Sequence, residues 1–222
     1  MKANKRNMST KTMVMGAILT ALVVILQFIG ASIRLGPFSI SLVLIPIVIG
    51  AATCGTAIST WLGFIFGIVV LISGDAALFL AVDVFGTVLT VIVKGTAAGL
   101  MAGLTYRGTV ALLNRNSQKQ IAVMKAKYGL GDCCERGVYE FISKKNKYIG
   151  VLAAAIVCPV VNTGIFLLGC LVFFMETVST WAGGSNVGHY MIFVLVGANF
   201  LAELATDLIL SPIVVRIVHA KK

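Results

Sequence analysis

The chain has 222 residues, of which 59% are hydrophobic and only 12% are charged, and its mean hydropathy is +1.00. This composition excludes an ordinary water-soluble domain, because the helices of a soluble domain need a polar face that is mostly missing here. The net charge of +10 is divided among three segments between apolar runs, which is typical of topology signals beside anionic lipid. We therefore expect an all-α integral membrane protein in contact with the lipid bilayer, and no nucleic-acid partner.

Six apolar runs approach the length of about 20 residues that a helix needs to cross the hydrocarbon layer. We predict six membrane-spanning helices at approximately 14–33, 40–53, 57–73, 87–106, 149–174 and 190–218. The second run carries Pro46 in its interior, which favours a tilted or broken helix. Apart from Arg34 and Lys94, every lysine and arginine falls in segments on one side of these spans. By the positive-inside rule both termini are cytoplasmic, and residues 1–222 form a single membrane domain.

The first span contains the segment GAILTA, residues 16–21. In a helix, Gly16 and Thr20 form one small-residue face, and Ala17 and Ala21 form another. Faces of this kind let a second helix approach closely. The spacing fits both packing within the chain and docking of a separate protein.

The connection after the third span reads SGDAALFLAVDVFG. It is mostly apolar, whereas a connection exposed to water is usually polar. We predict that it folds over a binding site as a lid, with Asp75 and Asp83 as polar contacts.

Lys94 stands in the fourth span with no other charged residue within ten positions on either side. Charges inside a membrane are costly, and they usually contact a ligand or pair with one another. Two interpretations follow. Lys94 offers its charge to an anionic ligand in a cavity open to the outside, or it pairs with Glu203 and only fixes helix packing.

Residues 107–148 follow the fourth span and carry nine basic side chains. We predict a basic cytoplasmic loop here. Its segment VYEFISKKNKY mixes apolar and basic residues in a way that suits a helix lying at the membrane surface.

The fifth span contains CPVVNTGIF, in which Pro159 precedes Asn162 and Thr163. A distorted helix at this point would leave the amide and the hydroxyl available to a ligand or to neighbouring carbonyls. Trp181 follows in the next outside connection. It either anchors the chain at the membrane interface or closes over a bound ring.

Asn199, Glu203 and Asp207 in the sixth span are spaced by four and form one polar stripe. Such a stripe must face the protein interior. We interpret Asn199 as a ligand contact, and Glu203 and Asp207 as members of a buried ion pair or as packing groups.

Signatures of catalysis are largely missing from the chain. We find no GxSxG, no HExxH and no phosphate-binding loop ending in GK[ST], and the two histidines, His189 and His219, lie at opposite ends of the last span. Cys133 and Cys134 have no histidine near them, so we interpret them as reduced thiols. We predict that the protein is not an enzyme and uses no metal and no cofactor. If ATP drives transport, the ATPase must be a separate chain.

Four segments, taken in order, carry a resemblance to a known family: AILTA, GPFSISLVLIPIVIGAATCGTAISTWLGFIFGIVVL, VKGTAAGLMAGLTY and PVVNTGIFLLG. Together with six spans and two cytoplasmic ends, they make residues 14–217 similar to the substrate-binding S components of energy-coupling factor (ECF) vitamin transporters. The motifs are patterns of small residues, and their order along the chain is the specific part of the likeness.

This resemblance implies a high-affinity binding subunit for a vitamin or related micronutrient in a bacterial plasma membrane. Its implied partners are a membrane coupling (T) component and two ABC-type ATPase subunits. The docking face of the family maps to Ala17 and Ala21. The binding region of the family maps to the outer helix halves and outside connections, where Lys94, Asn162 and the Asp75 connection fall.

GPFSIS and NTGIFLLG are most similar to the subgroup that handles pantothenate and riboflavin. A buried lysine suits a carboxylate or phosphate, so pantothenate is the first candidate and riboflavin the second. The competing hypothesis is a self-sufficient ion-coupled carrier that uses Lys94, Glu203 and Asp207 for coupling. A structural assembly subunit would need no ligand, and the polar stripe would then serve packing alone.

Overall fold

The structure is a computed structural model that describes residues 10–32, 34–35, 38–39, 42–128 and 132–220. The elements in chain order are α1 (Thr10–Ser32), β1 (Arg34–Leu35), β2 (Phe38–Ser39), α2 (Leu44–Thr53), α3 (Thr56–Ile72), α4 (Ala77–Leu80), α5 (Val84–Tyr128), α6 (Asp132–Phe173), α7 (Met175–Ala182), α8 (Val187–His189), a π-helix (Tyr190–Gly197) and α9 (Ala198–Ala220). The two short strands pair antiparallel. The predicted all-α architecture is confirmed apart from this small ribbon.

Three of the described helices are long and apolar enough to cross a bilayer: Thr10–Ser32, Val84–Lys125 and Gly137–Phe173. A fourth candidate is the pair Val187–Gly197 and Asn199–Pro212, which is bent by 41°. Leu44–Thr53 and Thr56–Ile72 are apolar but shorter. The chain is therefore a multi-pass membrane protein with three or four spans by length and composition, while six spans and the orientation of the termini stay predictions.

The second predicted span differs from the expectation at its proline. Pro46 is the third residue of α2, which begins at Leu44. The first N–H groups of a helix have no partner within the helix, so a proline there does not interrupt the hydrogen bonding. The break comes instead at Gly55, where φ is +95°, a value that only glycine adopts without strain. The proline therefore starts this helix and the glycine separates α2 from α3.

Glycines on α3 and α5 bring the two backbones into direct contact. A Cβ atom added to Gly63 would collide with the carbonyl oxygen of Gly95, and one added to Gly99 would collide with that of Ser59. Helices inside a membrane associate through close packing of this kind, because apolar side chains are as well solvated by lipid as by another helix and no hydrophobic force drives association. This contact fixes the rotation of α5, and with it the direction of Lys94 beside Gly95.

Residues 107–128 and 132–148 are helical where a cytoplasmic loop was expected. The 45 residues of α5 run without a break from the fourth predicted span to Tyr128, and α6 resumes at Asp132 for 42 residues. At about 1.5 Å per residue, α5 is about 67 Å long, which exceeds the 40–45 Å of a bilayer with its head groups. We call residues 107–128 and 132–148 the hairpin extension. Its two arms are continuous with the apolar parts of α5 and α6, and their place relative to the membrane surface stays a prediction.

Buried polar side chains connect the two arms of the hairpin extension. Asn146, 5% exposed, donates hydrogen bonds to Asn114 Oδ1 at 2.8 Å and to Ser117 Oγ at 3.2 Å. Lys144 and Glu140 form an ion pair on its surface at 3.5 Å. The side chains of Cys133 and Cys134 lie outside the described part of the chain.

Two buried clusters organise the interior. The larger one joins α1, α2, α3, α5 and α6 around residues such as Leu44, Phe66 and Val151. The smaller one, around Phe79, Phe174 and Leu195, joins α4 and α7 to the π-helix. The space between these clusters is the cavity described next.

Candidate functional site

A cavity with about 740 Å³ of empty space, counting its open mouth, lies among α3, α5, α6 and α9. The connection that starts at Ser73, together with α4, forms part of its wall. Half of its lining is polar: Asp75, Thr87, Thr90, Lys94, Asn162, Thr163, Asn199 and Glu203. The other half is apolar: Val70, Ala76, Phe79, Val91, Phe166, Phe174, Leu195 and Val196. A cavity of this size and mixed character suits a small amphipathic molecule.

Lys94 extends from α5 into the cavity wall between two aromatic rings. Its Nζ lies 5.8 Å from the centre of the Phe66 ring and 5.3 Å from that of Phe166, within the range of a cation–π interaction. The charges of Glu203 and Asp75 also act on it. Lys94 thus lies under the influence of two carboxylates and also lines the cavity. Pairing with Glu203 and contact with an anionic ligand are therefore compatible interpretations of this lysine.

Asp75 reaches the cavity from the connection between α3 and α4. Its Oδ2 accepts a hydrogen bond of 2.6 Å from Nε2 of Gln27 on α1. The same Nε2 lies 3.4 Å from Ser73 Oγ. Gln27 is only 1% exposed. It was not predicted as a site residue, although it is the one amide side chain in the first apolar run.

Asn162 and Thr163 line the cavity from α6, which contains Pro159 within the helix. Asn162 is 4% exposed and its Oδ1 has no hydrogen-bond partner within the described part of the chain. Thr90, which was not predicted from the sequence, lines the cavity from α5. Its buried Oγ1 likewise has no hydrogen-bond partner among the described residues. Buried polar atoms are normally paired, so these two oxygens are open to donors on a ligand.

The polar stripe of the last span faces inward, and only its first two members line the cavity. Asn199 Nδ2 donates to Glu203 Oε1 at 3.4 Å, and both residues belong to the lining. Asp207 is 4% exposed and lies one helical turn further on, outside the lining. The Ser211 hydroxyl donates to the Asp207 carbonyl oxygen at 2.7 Å. Glu203, which was predicted to pair or pack, therefore also belongs to the cavity wall.

Two of the seven predicted ligand contacts lie elsewhere. Asp83 Oδ1 accepts the N–H of Phe85 at 3.0 Å, which is the bond of a residue that caps the start of a helix, here α5. Trp181 is 36% exposed and packs edge-on against Phe79 with 5.6 Å between ring centres. It lies behind the aromatic wall of the cavity. The other five, Asp75, Lys94, Asn162, Thr163 and Asn199, line the cavity.

The predicted docking residues of α1 divide between two faces. Ala17 and Ala21 are exposed on the outside of the bundle. Gly16 is buried, and a Cβ added to it would lie 3.3 Å from Ile58, while the Thr20 hydroxyl donates to the Gly16 carbonyl at 2.8 Å. The Gly16 face therefore packs within the chain, which is one of the two uses that its spacing allowed. The alanine face is exposed, and docking of a partner there stays a prediction.

Among the described residues, no group of three or more histidine, cysteine, aspartate or glutamate side chains is arranged to hold a metal ion. The described cysteines Cys54, Cys158 and Cys170 are free thiols. The chemistry of the cavity is accordingly that of its charged, amide, hydroxyl and aromatic groups.

A multi-pass helical protein with one amphipathic cavity between its helices has the build of a membrane protein that binds a small solute. The family model described as "ECF transporter, substrate-specific component" matches residues 11–218. The chain belongs to this family, whose members are substrate-binding subunits of transporters and not typically enzymes. No curated protein and no solved structure matches the chain. The match leaves the particular substrate open.

Proposed function

We propose that the chain is the high-affinity binding subunit for uptake of a water-soluble vitamin or related micronutrient. The first candidate is pantothenate and the second is riboflavin. The observation that carries this proposal is the cavity itself, with about 740 Å³ of empty space including its open mouth. Its wall combines Lys94, several phenylalanine rings and three buried oxygens that have no hydrogen-bond partner among the described residues, on Thr90, Asn162 and Asn199. Membership in the ECF substrate-specific family supports a role for this cavity in transport.

Pantothenate suits the distribution of charge around Lys94. Its single carboxylate would meet the ammonium group, and its hydroxyl and amide N–H groups would donate to Asn162 Oδ1 and Thr90 Oγ1. Asp75 and Glu203 lie in the same wall and would repel a second negative charge on the ligand. Riboflavin is the alternative because Phe79, Phe166 and Phe174 offer an apolar wall to a ring system.

Transport by this subunit would depend on other chains. We propose a membrane T component and two ABC-type ATPases as partners, with the T component docking on the exposed Ala17 and Ala21 of α1. The arrangement implies six spans, two cytoplasmic termini and a location in a bacterial plasma membrane. Small residues at this face would allow a partner helix to approach closely.

The first test is identification of the small molecule that copurifies with the protein in mild detergent, followed by thermal-shift titration with pantothenate, riboflavin and the other B vitamins. A retained vitamin, or a shift with one vitamin at micromolar concentration or below, is the expected result. No retained compound and no shift across the panel would contradict a vitamin-binding role.

A second experiment concerns the source of energy. Proteoliposomes that contain the T component, both ATPases and this chain are expected to accumulate the vitamin only with ATP. Accumulation by this chain alone, driven by a proton or sodium gradient, would contradict the proposal and favour an ion-coupled carrier that uses Lys94, Glu203 and Asp207.

A further inference from the structure

Gln27 is a buried polar side chain on α1 that does not itself line the cavity. It lies on the inward face of α1 with Leu19 and Val23, and it is 1% exposed. Its Nε2 lies 2.6 Å from Asp75 Oδ2. An ionised carboxylate only accepts hydrogen bonds, so the amide NH₂ of Gln27 must be the group that faces it.

The hydrogen bond joins elements that are distant in the sequence. Gln27 belongs to α1, and Asp75 belongs to the connection between α3 and α4. A buried amide or carboxylate without a partner is costly in a membrane interior. The hydrogen bonds from Gln27 to Asp75 and Ser73 therefore help to hold the connection against α1.

Asp75 connects α1 to the cavity, because it accepts the hydrogen bond from Gln27 and is also a lining residue. It lines the same cavity as Lys94, and its charge, like that of Glu203, acts on Lys94. Gln27 and the other described residues of α1 are not part of the lining. The link from α1 to the cavity thus runs from the Gln27 amide through the Asp75 carboxylate to the Lys94 ammonium group.

We infer that Gln27 is a positioning residue for the binding cavity: by holding the Asp75 carboxylate it limits how closely Asp75 approaches Lys94, and it makes the affinity for an anionic ligand depend on the position of α1. The second part rests on the proposed function, because it concerns a ligand at Lys94. The first part concerns the connection alone and holds with or without a ligand.

Loss of the Gln27 donor has a predictable direction. Asp75 would lose its hydrogen bond to α1, and its carboxylate would turn further towards Lys94. The ammonium group would then be less available to the carboxylate of a ligand. The connection from Ser73 to Asp83, no longer held to α1, would open more often.

The decisive variant is Gln27→Met, which keeps the length and approximate volume of the side chain and removes the donor. Val23→Ala is the matched control, because Val23 is fully buried on the same face of α1 one turn away and its truncation leaves the Gln27–Asp75 bond intact. Gln27→Asn keeps an amide and shortens its reach, and it serves as a second variant if Gln27→Met does not fold.

Two measurements on the full-length protein in detergent separate the two parts of the inference. Hydrogen–deuterium exchange of residues 73–83 without ligand is expected to be at least about threefold faster in Gln27→Met than in Val23→Ala. Titration with pantothenate and riboflavin is expected to show about tenfold weaker binding in Gln27→Met. In an Asp75→Asn background the effect of Gln27→Met on affinity should fall below about twofold, because the charge on which it acts is gone.

The outcomes are distinct. Equal exchange in Gln27→Met and Val23→Ala would overturn the positioning role, whatever the ligand result. Faster exchange with unchanged affinity for a vitamin that the unmodified protein binds would overturn the coupling to Lys94. If the unmodified protein binds no vitamin, the proposed function fails, while faster exchange in Gln27→Met would still support the link between α1 and the connection.

Discussion

Lys94 Nζ lies 5.3 Å from the centre of the Phe166 ring, on the wall of the cavity that α5 and α6 share. The ring face stabilises the ammonium group without neutralising it, since an aromatic ring carries no net charge. Glu203 and Asp75 supply negative charge nearby. Lys94 therefore lines the cavity with an aromatic ring and two carboxylate groups around it, and these surroundings define what the site can accept.

We expect Lys94→Met to weaken binding of an anionic vitamin by about 2 kcal/mol, the scale of a charge-assisted hydrogen bond, and to leave the protein folded. Isothermal titration calorimetry measures the affinity, and size-exclusion chromatography checks the fold. Val93→Met is the control, because Val93 is 43% exposed on the neighbouring face of α5. If Lys94→Met unfolds the protein and Glu203→Gln restores it, pairing with Glu203 is the reason for the lysine.

Thr87 and Thr90 both line the cavity from α5, but their hydroxyl groups differ in hydrogen bonding. The Thr90 hydroxyl oxygen has no hydrogen-bond partner within the described residues, whereas the Thr87 hydroxyl donates to the Asp83 carbonyl at 2.6 Å. We expect Thr90→Val to leave the free energy of unfolding unchanged or to raise it, and to weaken ligand binding. Thr87→Val should lower the free energy of unfolding by about 1 kcal/mol.

Thermal unfolding in detergent, with and without the vitamin, measures both effects for the two threonines. A Thr90→Val protein that is less stable than Thr87→Val without ligand would show that the Thr90 hydroxyl has a structural partner. Unchanged affinity in Thr90→Val would remove this residue from the ligand site.

Asp83→Ala tests whether Asp83 caps the start of α5 or contacts the ligand. Loss of the Asp83 side chain removes the acceptor for the Phe85 N–H at the start of α5. Capping residues contribute about 1 kcal/mol, so we expect a loss of stability of that size in thermal unfolding. The affinity for the vitamin, measured by titration, should change by less than about twofold. A large loss of affinity at unchanged stability would return Asp83 to the binding site.

Gly63 and Gly99 are expected to tolerate no side chain. Alanine at either position would collide with a backbone carbonyl of the facing helix, and overpacking of this kind typically costs about 1–3 kcal/mol. Gly108→Ala on the same helix α5 is the control, since a Cβ there meets no atom within 4 Å. Alanine has the higher helix propensity, by about 1 kcal/mol, so this variant should be as stable as the parent or more so. Thermal unfolding compares the three proteins.

The residues that could be predicted from the sequence are those whose chemistry conflicts with an apolar run. Lys94, Asn162, Asn199 and Glu203 stand out in this way, and all four line the cavity. Thr90 could not be distinguished, because threonine is common in membrane helices and usually bonds the backbone of its own helix. Asp83 was predicted to contact a ligand because a charge near an apolar connection looks functional, although capping explains it.

The hairpin extension was interpreted as a loop because hydropathy falls after Tyr106. Hydropathy reports what surrounds a segment and does not report its backbone conformation. The residues that follow Tyr106 include leucine, alanine, glutamine, lysine and methionine, which are good helix formers in water. A helix that leaves the bilayer changes the polarity of its side chains and keeps its hydrogen bonding, so the end of an apolar run marks the membrane boundary and not the helix end.

That continuity gives the hairpin extension a mechanical property. At about 1.5 Å per residue, residues 107–128 reach about 33 Å beyond the predicted fourth span. Asn146 joins the two arms through Asn114 and Ser117, so a tilt of α5 and α6 would carry both arms together. A tilt of about 10° in those spans would carry the far end sideways by about 6 Å. The extension would thus act as a lever arm, because a small reorientation of α5 beside the cavity becomes a larger displacement at the end of α5.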